Sequence, residues 1–109
     1  MSSLSRLDCR PCRKGDAPLD PQAARALARE IPDWQLDADG RRIERRWVFA
    51  DFAAAFAFVG RVAEIAEAAN HHPDISFGWG YATLSLQTHA IGGLHQNDFI
   101  IAARCDEIA

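Results

Sequence analysis

The chain has 109 residues, enough for one compact domain and too few for two. Its 49% hydrophobic and 25% charged residues are ordinary for a globular protein, and a formal charge of −3 sets up no basic field for nucleic acid. No run approaches the roughly 20 apolar residues of a membrane span, and residues 1–19 lack a signal-type apolar core, so a cytoplasmic protein with neither membrane nor nucleic acid as partner is expected.

Residues 1–19 are polar, with Gly15 and Pro18, and are expected to form a flexible arm ahead of a single domain over 20–109. The arm carries Cys9 and Cys12, a lone CxxC with no second pair for a zinc ribbon and no βαβ context for a redox motif. With Cys105 the cysteines number 3, which fits no complete disulfide framework. Cys105 reads as a small buried hydrophobe in a helix.

Asp20-Pro21 pairs an N-cap with proline at the first helical position. Ala24, Leu27, Ala28 and Ile31 follow at helical spacing until Pro32. Trp34 and Leu36 alternate with polar residues, Asp39-Gly40 signals a hairpin turn, and the return strand sets Ile43, Trp47 and Phe49 on one face with Arg45 as the odd member. Asp51 can cap a long helix over 51–69 with Phe52, Phe56, Val59, Val62, Ala63 and Ala66 on its apolar side. Asn70 is a helix stop, and Pro73 prevents continuation. The stretch Ile75 to Tyr81 and the alternation of Ala82, Leu84 and Leu86 predict a second strand pair. Gly92-Gly93 is a turn, and 98–108 reads as a last helix. The order α-β-β-α-β-β-α predicts an α+β fold: a four-stranded antiparallel sheet with helices packed on one face.

Of the 4 histidines, His71 and His72 follow the long helix and His89 ends the last strand. Antiparallel pairing of those strands brings the start of the first beside the end of the second, so these histidines should meet at one edge of the sheet. Imidazoles titrate near pH ~6.5, and neighbouring ones repel each other's charge, so one can serve as base while another serves as acid. Taken singly, each is as readily a packing or surface histidine. A metal site built from these histidines and Asp74 is the rival reading. Consecutive side chains diverge in extended backbone, and no HxH or i,i+4 spacing is present, so no metal is expected.

Glu67, His71-His72-Pro73, Trp79, His89 and Asp98 reproduce the spacing of a motif found in the pterin-4a-carbinolamine dehydratase family. Pro32-Asp33-Trp34, Phe49, Phe52, Phe56, Arg61-Val62-Ala63 and Gly92-Gly93-Leu94 extend the resemblance, and Cys9-Arg10-Pro11-Cys12 resembles a leader of bacterial members. The resemblance implies the same α+β fold, no cofactor, and a homodimer or homotetramer. It implies a pterin substrate, the 4a-hydroxy-tetrahydropterin released by aromatic amino-acid hydroxylases, which is dehydrated during tetrahydrobiopterin recycling. His71 and His72 would be the acid/base pair, unassigned between them, and His89 would hold or protonate the hydroxyl. Trp34 would wall the pterin ring, Glu67 would orient a histidine, and Asn70, Pro73, Asp98 and the backbone at Thr88 and Ala90 would complete the substrate site. Trp34 and Trp79 are equally readable as core, Glu67 as a solvated helix residue, and Asp98 as purely structural.

His95 stands where the family commonly has a threonine N-cap and is itself a poor cap, so Asp98 is expected to cap the last helix alone and His95 to be uninvolved. Asn97 replaces a frequent basic residue. Some members of the family instead bind transcription factors or assist assembly, and that non-catalytic role is the alternative.

Overall fold

The computed structural model describes residues 3–109. The order is α1 (Pro21–Ala28), β1 (Gln35–Leu36), β2 (Ile43–Val48), α2 (Phe52–Ala69), β3 (Asp74–Gly78), β4 (Tyr81–Leu86) and α3 (Gln96–Ile108), with 3-10 turns at Ser3–Arg6 and His89–Ile91. The strands form one antiparallel sheet in the order β1-β2-β4-β3, which is the α+β architecture expected. Ala82, Leu84 and Leu86 of β4 are buried while Tyr81, Thr83 and Ser85 between them are half-exposed, so the helices cover one face. Among the described residues no helix is long and apolar enough to cross a membrane.

Helix boundaries follow local chemistry. The Asp20 carboxylate accepts from the Ala23 amide, and the Asp51 carboxylate accepts from the Ala54 amide, both as N-caps. α1 stops at Ala28, earlier than Pro32 suggests. Its exit is tightened by i→i−3 bonds from Glu30 to Leu27 and from Ile31 to Ala28. Asn70 ends α2 in the left-handed region at φ 52°, and its amide reaches the Ala66 and Glu67 carbonyls. The 37–42 loop is closed by Asp37, whose carboxylate accepts from the Arg41 and Arg42 amides, with Gly40 at φ +69°.

The core gathers Ala55, Phe58, Val62 and Ala66 of α2, Ile43 and Trp47 of β2, and Phe99, Ile101 and Cys105 of α3. Phe52 and Phe56 do not join it. They are 49% and 60% exposed and meet Phe77 at the β3 edge, because the buried stripe of α2 runs through Ala55, Phe58 and Val62. Trp79 is 73% exposed on the β3–β4 turn, so the core reading fails for it. Arg45 faces inward because it stacks over Trp47 at 4.5 Å and pairs with Asp106 at 2.7 Å.

Residues 3–19, expected to be a loose arm, lie along the body. Leu4 is buried in the core, and Arg104 donates to the Ser5 and Leu7 carbonyls at 3.1 and 2.6 Å. Asn97 holds Arg10, and the Leu19 amide donates to Leu94 at 2.8 Å.

Candidate active site

The β3–β4 register sets Asp74 opposite Ser85, so the loop leaving α2 and the loop leaving β4 share one end of the sheet. The second loop is a 3-10 turn, His89–Ile91, closed by a bridge between Thr88 and Gly93. Gly92 takes φ +67°, and a Cβ on Gly93 would fall 2.8 Å from Pro18, so this turn requires both glycines. His71, His72, His89, Thr88, Ala90, Asn70 and Pro73 all lie on these two loops, and Glu67 lies in the last turn of α2.

Each of the three histidines has its own carboxylate. His71 Nε2 lies 2.6 Å from Asp98 Oδ1 at the start of α3. Asp98 is fully buried, and its other oxygen accepts from Thr88 Oγ1 at 2.8 Å and from the His95 amide at 3.0 Å. A carboxylate ringed by donors acts as acceptor, which places the His71 proton on Nε2 and leaves Nδ1 as the basic nitrogen of the neutral ring. His71 is itself mostly covered, its side chain 13% exposed.

His72 turns the other way. Its side chain is half-exposed and its Nε2 hydrogen-bonds Glu67 Oε2. His89 is exposed. Gln87 Nε2 donates to its Nδ1 at 2.9 Å, which puts the ring proton on Nε2, 3.7 Å from Asp74 Oδ2. Asp74 as the partner of His89 was not foreseen; the signal was the antiparallel register, which sets the two loops side by side. Among the described residues, no three of His, Cys, Asp and Glu are grouped to hold a metal ion.

A cavity of about 330 Å³ is lined by His71, Thr88, Asn70, Ala69, Asn97 and residues 9–12, whereas His72 and His89 stand at the more open surface. Two expectations are corrected. Trp34 is not brought to the histidines. It is buried beside β1, at the opposite edge of the sheet from β3, where it packs edge-on to Trp47 at 5.6 Å and donates Nε1–H to Asp106 at 2.8 Å. Burial pushes the Asp106 carboxyl up, against the pull of Trp34 and Arg45. His95 is not idle. Its Nδ1 accepts from the Asn97 amide at 3.0 Å while Asp98 accepts from the His95 amide, so an imidazole acceptor stands in for the threonine hydroxyl and completes a capping box.

The family model described as "Pterin 4 alpha carbinolamine dehydratase" matches residues 17–108. A Halorhodospira halophila protein provisionally named pterin-4-alpha-carbinolamine dehydratase is 51% identical over 106 residues, covering 97% of each chain. An Azoarcus sp. protein with the same provisional name is 48% identical, over 100% of this chain and 93% of its own. Among solved structures, the transcriptional coactivator/pterin dehydratase from Brucella melitensis superposes with a TM-score of 0.79 at 28% identity, over 84% of this chain and 98% of that one. A pterin dehydratase-like protein identified as a RuBisCO assembly factor in the alpha-carboxysome gives a TM-score of 0.61 at 26% identity, over 71% of this chain and 89% of that one. With the motif histidines placed on two adjoining loops and the match running through nearly the whole fold, the chain belongs to the pterin 4 alpha carbinolamine dehydratase family of hydro-lyases.

Proposed function

We propose that the protein dehydrates 4a-hydroxytetrahydrobiopterin, or a close 4a-hydroxy-tetrahydropterin, to the quinonoid dihydropterin and water. The observation that carries this reading is the set of three histidine–carboxylate pairs, His71–Asp98, His72–Glu67 and His89–Asp74, whose histidines lie on two adjoining loops. The reaction needs one proton delivered to the leaving C4a hydroxyl and one removed from N5, with no net change. Asp98 holds His71 with Nδ1 free to accept, which suits the N5 base. His72 and His89, more open to solvent and each beside a carboxylate, suit delivery of the proton to the hydroxyl. Asn70, Pro73, Thr88 and Ala90 border these groups and would complete the substrate site, while Asp98 acts through His71. Trp34, packed against Trp47 and Asp106, keeps no assigned contact with substrate in this reading.

No metal enters these steps. Purified protein stripped with a chelator should turn over the pterin at an unchanged rate. One tightly bound equivalent of zinc or iron, required for turnover, would contradict the acid/base reading.

We also infer self-association as a homodimer or homotetramer. The β3 edge is unpaired among the described residues, and Phe52, Phe56 and Ile75 beside it are exposed. Light scattering should give a dimeric or tetrameric mass, and a monomer at micromolar concentration would overturn this. A functional link to an aromatic amino-acid hydroxylase follows from the substrate's chemistry. The second reading is a coactivator or assembly role, favoured by the coactivator and assembly-factor descriptions of the two structural neighbours and by the same exposed aromatic rim.

A further inference from the structure

The proposed chemistry leaves Cys9-Arg10-Pro11-Cys12 unexplained, yet this segment forms one wall of the cavity of about 330 Å³ that contains His71. It lies outside residues 17–108, the part matched by the family model. Its attachment is specific. Asn97 is 3% exposed, and its side-chain amide grips a single residue of the arm from both sides. Asn97 Oδ1 accepts from the Arg10 amide at 2.9 Å, and Asn97 Nδ2 donates to the Arg10 carbonyl at 2.5 Å. A paired donor and acceptor fix both the position and the orientation of the segment. The next residue, Asp98, holds His71, so the arm and the histidine hang from consecutive positions in the first turn of α3.

The arm is also anchored on either side of this contact. Arg104 holds Ser5 and Leu7 upstream, and Leu19 bonds Leu94 downstream. Between those anchors, among the described residues, Asn97 supplies the hydrogen bonds that tie the segment to the body. Releasing that grip would free a loop hinged at both ends rather than detach the arm.

We propose that Cys9–Cys12 is a lid over the His71 cavity, latched by Asn97, and that Asn97 is a positioning residue for admission of the pterin. The role in admission rests on the dehydratase reading; the latch itself does not. Cys9 and Cys12 are half-buried free thiols, and burial raises both. Cys105 is buried in the core and pushed up to about 12, which makes it an internal reporter of global unfolding.

The test measures thiol reaction with an aromatic disulfide reagent on the full chain, followed site by site, beside steady-state dehydration. Asn97→Ala should speed reaction at Cys9 and Cys12 by about tenfold or more, as expected when a pair of buried hydrogen bonds is lost, and leave Cys105 protected. KM should rise severalfold while kcat changes less, since His71 and Asp98 stay in place; a purely structural role would leave KM unmoved. Saturating 7,8-dihydrobiopterin should slow labelling of Cys9 and Cys12 in the wild type. Unchanged thiol rates in the variant, or faster thiols with an unchanged KM, would overturn the lid. If all three cysteines react together, the variant has unfolded. Arg10→Pro, which removes the amide donor from the arm side and leaves α3 intact, then replaces it under the same criteria. Labelling without pterin reads the latch by itself, so a wild type that fails to dehydrate sinks the functional reading and leaves the latch to be judged on thiol rates.

Discussion

His72→Ala is expected to lower the dehydration rate by about 10²–10⁴-fold, the usual loss when a positioned acid or base is removed. His72 is half-exposed and its structural ties are confined to Glu67 among the described residues, so the fold should survive the change. His71→Ala should also lose rate, by a smaller factor where its neighbour can take over part of the proton traffic. The double variant should fall short of the product of the two losses, because groups sharing one proton network are not additive. Single-turnover rates at fixed pH, with circular dichroism confirming the fold, check this. Wild-type rates in both single variants would move the function from catalysis to binding.

Asp98→Ala is expected to be the most damaging substitution for stability, at about 3–5 kcal/mol. The carboxylate is fully buried and takes donors from the His71 ring, the Thr88 hydroxyl and the His95 amide. Its removal strands all of them and breaks the cap of α3, which also carries core residues Phe99, Ile101 and Cys105. The rate should fall as well, because His71 loses the partner that fixes its tautomer. Urea denaturation reads the first effect through a lowered midpoint. A loss under about 1 kcal/mol would mean that the three donors find water or other partners, and that Asp98 is not the hub of the site.

The sheet, its hairpins and the long helix were legible in the sequence because their signals are local. Alternation at Ala82, Leu84 and Leu86, the turn at Gly40 and the caps at Asp20 and Asp51 need no tertiary information. The nearness of the two loops that carry His71, His72 and His89 followed from antiparallel pairing. What escaped prediction depends on contacts distant in sequence. Phe52 and Phe56 fit the periodicity of α2, but which edge of a broad apolar helix faces the sheet is set by packing against Trp47 and α3. Trp34 is held by Asp106 from the far end of the chain, a pairing that no spacing encodes. His95 was misread because cap statistics rank side chains by type, whereas here an imidazole nitrogen supplies the same acceptor. The arm looked loose because its anchors, Arg104 and Asn97, lie in the last helix.

The measurement that bears most directly on the central claim is stopped-flow decay of chemically prepared 4a-hydroxytetrahydrobiopterin, with and without the purified protein. The account predicts that water loss accelerates in proportion to protein concentration, and that the acceleration disappears in the His71→Ala/His72→Ala double variant. Identical decay with and without the folded wild-type chain would contradict it.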